Sequence, residues 1–414
     1  MKYFLIGEKL GHSFSKEIHN LIGQYDYTLK EIAKDELHTF MTKKEFDGLN
    51  VTIPYKQDVI AYLDFIDDDA KQIGAVNTIV NKNGKLYGYN TDFFGLKELI
   101  IKNKIEIKDK KVLILGTGGT SKTATQVCKA LDAKEVLIVS RKSGDDVISY
   151  EMAKNVHNDA NVIINTTPVG MFPNNDLCPI DDLQCFSKLE GVVDAIYNPL
   201  CSNLVLCAKK IGIKATGGLF MLVQQAIEAS QIFFETQYEK ELCESVYKKI
   251  LDSKQNIVFV GLPGSGKTTI GSQVAKALCK TFIDTDIYIS HKTGSKPDKI
   301  ILEKGIDEFR KIESEAIKEL SSKQNCVIST GGGAVLKEEN VNYLKQNGKI
   351  IFIDRNVENI KPTEDRPLSN NIEKLKKLYN ERYMIYKNCA DYIVENNSSI
   401  DELKSKILKI IENL

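Results

Sequence analysis

No run in the sequence approaches the roughly 18 consecutive apolar residues that a membrane span needs. The start, MKYFLIGEKLG, holds a short apolar run with no long hydrophobic region and no cleavage-like site, so the expectation is a soluble protein of cytoplasmic type. Neither sign of charge is in excess: 56 Lys and Arg stand against 56 Asp and Glu. That sets aside a nucleic-acid or anionic-membrane surface spread over the whole molecule and leaves room for a local basic pocket. The nine cysteines form no C-x-x-C pair, so neither a disulfide framework nor a zinc site is expected, and they read as reduced, small apolar residues. His12, His19, His38, His157 and His291 show no ligand-like spacing. Low-complexity tracts are also missing.

What is present is the composition of a soluble globular protein, 42% hydrophobic and 27% charged. At 414 residues the chain is too long for one ordinary core, and two or three domains are expected. Two strand–glycine–helix signals organise it: KVLILGTGGTSKT from Lys110 and NIVFVGLPGSGKTT from Asn256. In each, a short Val/Ile/Leu run reads as a buried parallel strand, and the glycines read as a tight turn into a helix. Their glycine spacings differ, so they are two nucleotide-binding units and not a repeat.

Ahead of the first signal, FLIGEKL, DGLNVTIPY and AVNTIVNKNGKLYGYN read as strands or hairpins, the last turning at Asn83-Gly84. After it, KEVLIVS, NVIINTT and GVVDAIYN read as strands between helical stretches, and GLFMLVQQAIEASQIFFE as a long helix that returns to pack on the first domain. Strands alternating with helices predict an α/β fold throughout. The charged segment 235–255, free of Gly and Pro, reads as a helix end plus a short helical connection. The expected domains are 1–104 completed by 218–250, then 105–217, then 253–414.

Gly261-Leu262-Pro263-Gly264-Ser265-Gly266-Lys267-Thr268 matches G-x-x-x-x-G-K-[ST] between an apolar strand and a helix. Backbone N–H groups of Gly264, Ser265 and Gly266, with Lys267, Thr268 and Thr269, are suited to cradle the phosphates of ATP at a helix N-terminus. The Thr268 hydroxyl is suited to Mg²⁺. Beyond the loop, FIDTDIYISHKTG, GIDEFRKIESEAI, STGGGAV, TEDRPLS and NERYMIYKNCADYIV follow in order. Over nearly its whole length this part resembles the shikimate kinases, a P-loop, nucleoside-monophosphate-kinase-like α/β domain. The resemblance implies that Arg310 and Arg382 clamp the shikimate carboxylate, Asp286 accepts the proton of the attacking hydroxyl, and Asp284 helps to position Mg²⁺. It further implies that Gly331, Gly332 and Gly333 let the backbone approach the ring, and that Arg366 closes over the phosphates. The segment 356–371 carries only Lys361 and Arg366 as cations, fewer than relatives often have.

The first glycine loop, Gly116-Thr117-Gly118-Gly119-Thr120-Ser121, is shorter than G-x-G-x-x-G. The following strand ends in Ser140-Arg141-Lys142, where a Rossmann unit usually has an acidic residue for the ribose 2′-OH; two cations there favour a 2′-phosphate, hence NADP. GHSFSKEIHN, DGLNVTIPYK, GAVNTIV, YGYNTDFFG, NTTPVGM, DAIYNPL and GGLFMLVQQA make residues 1–250 resemble the shikimate dehydrogenases, with an α/β substrate domain beside an NADP-binding Rossmann domain. The resemblance implies that Ser13 and Ser15 bind the substrate carboxylate. It makes Lys56 and Asp92 the catalytic pair and has Thr52, Asn77, Tyr197 and Gln225 contact substrate and Met171 the cofactor. Lys16 stands where relatives usually have proline, and Cys201-Ser202-Asn203 replaces a Thr-Pro element. Together the halves predict one chain that reduces 3-dehydroshikimate with NADPH and phosphorylates shikimate with ATP and Mg²⁺. Activity on quinate, or a sensor role for one half, stays open on the sequence.

Overall fold

The computed structural model describes every residue except 12, 145, 361–370 and 414. The chain forms two compact units, Met1–Leu251 and Asp252–Leu414.

The first unit contains two six-stranded sheets. The first is built from β1 (Tyr3–Gly7), β2 (Tyr27–Glu31), β3 (Gly48–Val51), β4 (Phe65–Ile66), β5 (Thr78–Lys82) and β6 (Lys85–Tyr89), in the order β2-β1-β3-β5-β6-β4. It is mixed: β2 and β3 flank β1 in parallel, whereas β5 runs antiparallel to both β3 and β6. The β5–β6 hairpin turns at Asn83 (φ 53°) and Gly84 (φ 84°), both left-handed as a two-residue type I′ turn requires. Ile6, Leu49, Val51, Tyr55, Val76, Ile79 and Leu86 fill one core against this sheet.

The second sheet holds β7 (Lys111–Leu115), β8 (Glu135–Ser140), β9 (Val147–Ser149), β10 (Val162–Asn165), β11 (Gly191–Asp194) and β12 (Lys214–Thr216), all parallel, in the order β12-β11-β10-β7-β8-β9. The chain steps from β7 to β8 on one side and later to β10 on the other, so the order reverses at β7. In such sheets ligands bind at the carboxyl ends of the strands beside that reversal. The helix Leu219–Phe234 then returns to the first sheet's side and packs on the helices Ser15–Ile22 and Asp92–Lys102. A Cβ at Gly95 would lie 2.6 Å from the Met221 carbonyl oxygen, so this approach requires glycine. The charged segment is more than a connection. After Glu235 turns left-handed, Lys240–Lys254 is a regular helix whose Cys243, Val246 and Ile250 are buried in the first unit's core.

The second unit has one parallel sheet of β13 (Asn256–Val260), β14 (Thr281–Asp284), β15 (Cys326–Ser329), β16 (Gly348–Asp354) and β17 (Tyr392–Glu395), in the order β14-β15-β13-β16-β17. Helices cover both faces, with Val258, Val260, Ile328 and Ile350 on one core and Ile257, Phe259, Val327 and Ile351 on the other. Here too the order reverses at the strand that carries the glycine loop. All nine cysteines are free thiols, and no helix among the described residues is long and apolar enough to cross a membrane.

One buried group contributes an acid-labile part of the first unit's stability. His19 is fully buried, stacked on Tyr27 with ring centroids 3.7 Å apart, and its Nδ1 pairs with the Tyr25 hydroxyl. Burial pushes its pKa down from 6.5 to about 3. Between those values the unfolded chain binds a proton that the folded chain refuses, so this stability is complete above pH 6.5 and falls as pH drops towards 3. The slope is about 1.4 kcal/mol per pH unit within that window. Urea midpoints of dehydrogenase inactivation, compared for wild type and His19→Gln at pH 7.5 and 5.5, should converge at the lower pH. Parallel pH dependence in the two proteins would rule His19 out as the source.

Candidate active sites

In the first unit, Lys56 leaves β3 through the segment before the 3₁₀ turn Asp58–Tyr62, and Asp92 is the first residue of the helix Asp92–Lys102. Tertiary folding joins them across 36 residues: Lys56 Nζ donates to Asp92 Oδ2 at 2.5 Å, with side chains 14% and 9% exposed. The glycine loop lies directly against this pair. A Cβ at Gly119 would sit 3.6 Å from Lys56 Cδ and 3.6 Å from Ala75 Cβ, in ordinary van der Waals contact, which places this glycine beside the lysine stem.

Beside the pair is a buried polar wall. Asn77 Oδ1 accepts the Thr91 N–H at 2.7 Å, and Asn77 Nδ2 donates to Thr91 Oγ1 at 3.0 Å and to Gln225 Oε1 at 3.5 Å. Gln225 comes from the returning helix, 148 residues along the chain. Thr78 and Asn50 extend the wall, with Asn50 held in turn by the Tyr27 hydroxyl at 2.8 Å. Ser13 Oγ donates to Ser15 Oγ at 3.1 Å, while Phe14 meets the Tyr197 ring edge-on. Thr52, where β3 ends, donates its backbone N–H to the Ile6 carbonyl at 2.9 Å.

The cofactor-side residues gather at the carboxyl end of the second sheet. Gly116, at φ 110°, donates its N–H to the Val139 carbonyl, which seats the loop next to Ser140, Arg141 and Lys142. Arg141 and Lys142 are exposed. Gly118 caps the helix Gly119–Ala130, in which Thr120 and Ser121 form the first turn. Ser121 Oγ is buried with no hydrogen-bond partner among the described residues. Met171, 39% exposed, follows β10 on the opposite side of β7 from Arg141. Beneath its loop, Asp194 takes hydrogen bonds from Ser202 Oγ, Asn165 Nδ2 and the Ile196 N–H. Burial pushes its pKa up to about 6, against the pull of those three donors.

In the second unit, the loop from Gly261 to Gly266 joins β13 to the helix Lys267–Ala277. Lys267 Nζ is buried and donates to the carbonyls of Gly261 and Leu262 at 2.9 and 2.8 Å. Gly264, Ser265 and Gly266 complete the loop, and Thr269 is exposed one residue past Thr268. Thr268 Oγ1 donates to Asp284 Oδ2 at 2.8 Å, while Asp284 Oδ1 caps the next helix through the N–H groups of Asp286 and Ile287. Hard oxygens so placed suit Mg²⁺, which keeps several waters and binds through one or two protein groups plus substrate phosphates.

The surroundings of the Gly331–Gly333 turn are tightly built. Arg310, 14% exposed, donates from Nη1 to Glu313 Oε2 at 2.5 Å and lies flat on Gly333, where a Cβ would fall 2.0 Å from its Nη2. A Cβ at Gly331 would lie 2.9 Å from Asp286 Oδ1 and 3.0 Å from Glu313 Oε1; at Gly332 it would strike Pro263 of the P-loop. The three glycines therefore let the glycine loop, Asp286 and Arg310 converge on one turn. Arg382 Nη1 donates to the Gly332 carbonyl at 3.0 Å. Arg366 lies outside the described residues.

Sequence reading missed Glu313 and Tyr386. Glu313 is 1% exposed, its Oε1 has no hydrogen-bond partner among the described residues, and burial holds its carboxyl above the usual range despite Arg310. A signal was available: both residues fall on the apolar stripes of their helices, Glu313 among Phe309, Ala316, Ile317 and Leu320, and Tyr386 among Leu375, Leu378 and Cys389. A polar group on such a stripe is buried and needs a partner.

With these geometries in hand, comparison with known proteins is specific for each unit. A family model for the shikimate dehydrogenase substrate binding domain matches residues 5–79, and one for shikimate kinase matches residues 263–412. The shikimate dehydrogenase (NADP(+)) of Clostridium beijerinckii is 39% identical over 262 residues, covering 59% of this chain and 96% of that protein. The Clostridium perfringens enzyme of the same name is 37% identical over 275 residues, covering 60% and 98%. Among solved structures, shikimate dehydrogenase 1 from Peptoclostridium difficile superposes with a TM-score of 0.56 at 34% identity, over 60% of this chain and 97% of that one. A chorismate mutase/shikimate 5-dehydrogenase fusion from Clostridium acetobutylicum gives 0.56 at 36% identity, over 60% and 96%.

Proposed function

We propose a division of labour for a chain that belongs to the shikimate dehydrogenase family and carries a shikimate kinase domain behind it. The enzyme is bifunctional: it reduces 3-dehydroshikimate to shikimate with NADPH, and phosphorylates shikimate with ATP. In our reading, residues 1–104 with 218–250 hold the substrate of the first reaction, 105–217 hold NADP, and 253–414 carry the kinase. The observation that carries the first site is the largely buried Lys56–Asp92 ion pair, with Gly119 of the glycine loop beside Lys56.

Bound reduced nicotinamide supplies a hydride, and bound Mg·ATP a phosphoryl group. The chain's own residues do the rest. Lys56 gives a proton to the oxygen on which negative charge develops, and Asp92, bonded to its Nζ, aims the ammonium. Asn77 and Gln225, neutral amides already bonded to each other, suit the neutral ring hydroxyls. Ser13 and Ser15, with Tyr197 beside them, offer hydroxyl donors to the carboxylate. On the cofactor side, the glycine loop and Thr120–Ser121 take the pyrophosphate, Ser140, Arg141 and Lys142 the 2′-phosphate, and Met171 the nicotinamide end. The exposed, unoccluded position of Arg141 and Lys142 fits recognition of a dianion.

In the second unit the guanidinium groups of Arg310, against Gly333, and Arg382, bonded to the Gly332 carbonyl, meet at the Gly331–Gly333 turn, which suits capture of a carboxylate. Asp286, beside Gly331, takes the proton from the attacking hydroxyl, and Lys267 lies ready for the phosphates. Arg366 is assigned the closing charge over them. Thr268 and Asp284 would hold Mg²⁺.

Product analysis tests the reading. Purified protein given 3-dehydroshikimate, NADPH, ATP and Mg²⁺ should form shikimate 3-phosphate only when both nucleotides are present, and shikimate alone without ATP. Unchanged 3-dehydroshikimate would overturn the first assignment. Shikimate that persists with ATP would overturn the second.

A further inference from the structure

The Tyr386 hydroxyl donates to the Gly332 carbonyl oxygen, the same atom that accepts Arg382 Nη1 at 3.0 Å. One carbonyl therefore ties a phenol, a guanidinium and the triple-glycine turn into one joint. Tyr386 is 1% exposed, and its ring stacks on Phe352 with centroids 5.2 Å apart and planes 26° from parallel. Phe352 lies in β16 opposite Val260, the last residue of the strand that feeds the P-loop. The tyrosine thus carries the rigidity of the central sheet to a turn of three residues with no side chains of their own.

On its other side the turn is pinned by the Gly331 N–H, which donates to Thr285 Oγ1 at 2.9 Å, and by Pro263, against which Gly332 packs. A planar trans peptide points its carbonyl and the next N–H in opposite directions. Two donors on Gly332 O therefore set the direction of the Gly333 N–H, next to Arg310. Glycine peptides flip readily because no Cβ resists the change, and here the hydroxyl and guanidinium supply the resistance. Burial pushes the phenol up to about 12, so it remains a donor throughout the range in which the enzyme is assayed.

We propose that Tyr386 is a positioning residue for the phosphoryl acceptor, holding the Gly331–Gly333 turn and Arg382 in the geometry that receives shikimate. This rests on reading the second unit's acceptor as shikimate. Tyr386→Phe in the full chain removes one oxygen and keeps the stacked ring. Its KM for shikimate, and its shikimate Kd by calorimetry, should rise about five- to tenfold, the size of one buried hydrogen bond. KM for ATP and kcat should stay within twofold of wild type, and the dehydrogenase activity of the same molecules should be unchanged.

An unaltered shikimate KM would overturn the inference, as would a joint change in kcat and both KM values, the mark of a general structural role. If wild-type protein phosphorylates no shikimate, the acceptor assignment itself fails. If wild type does so and the variant matches it, only the role of Tyr386 fails.

Discussion

Replacing Lys56 by alanine should lower kcat of the dehydrogenase on the order of 10³-fold while the kinase of the same chain keeps its wild-type rate. Two contributions disappear together. A positioned proton donor is worth roughly 10²–10⁴ in rate, and a charge aimed at a developing alkoxide roughly 10²–10³; acting through one side chain they do not multiply fully. The pair is 14% and 9% exposed, so water replaces the ammonium poorly. Substrate affinity should change little, because Ser13, Ser15, Asn77 and Gln225 remain. Lys56→Arg separates the two contributions. A guanidinium keeps the charge but does not release its proton. Steady-state kinetics in both directions make the check. A kcat for Lys56→Ala within tenfold of wild type would mean that the proton arrives by another route.

Replacing Arg310 by methionine should raise the kinase KM for shikimate on the order of 10²-fold and destabilise the second unit by about 3–5 kcal/mol. The first effect follows from the proposed carboxylate clamp losing one arm. The second has a separate cause: Glu313 is 1% exposed and loses the partner of its Oε2, and a buried carboxylate stripped of its cation is costly. The double variant Arg310→Met/Glu313→Gln distinguishes the two. With the charge gone from position 313, resistance of kinase activity to heating should recover most of its loss, whereas shikimate affinity should not recover. If both return, Arg310 acts only through packing and the clamp assignment fails. If neither effect appears in the single variant, the arginine belongs to the surface. The dehydrogenase again serves as the internal control.

The nucleotide loops, and with them the α/β class, were written in contiguous residues. A strand, a glycine turn and a helix N-terminus form within about fifteen residues, so the chemistry of phosphate binding needs no distant partner. The Asn83-Gly84 hairpin was visible for the same reason. Other features have no local signature. Strands of two or three residues, β4, β9 and β12, are too short to show a period, and exist because a neighbouring strand offers an unpaired edge. That Lys56 meets Asp92, or that Gln225 reaches Asn77 from 148 residues away, was suggested by family resemblance. It is brought about by β3, β5 and the returning helix packing around one cleft. The partners that Glu313 and Tyr386 find were decided by tertiary structure alone. A helix's sequence shows which side is apolar, but only the sheet and turn against which that side settles determine whether a polar group there meets a guanidinium, a carbonyl or nothing. Local order follows from short-range sterics and hydrogen bonding, and it is readable in sequence. The chemistry at the two sites depends on desolvation and on distances of about 3 Å between remote segments, and these arise only when the chain closes on itself.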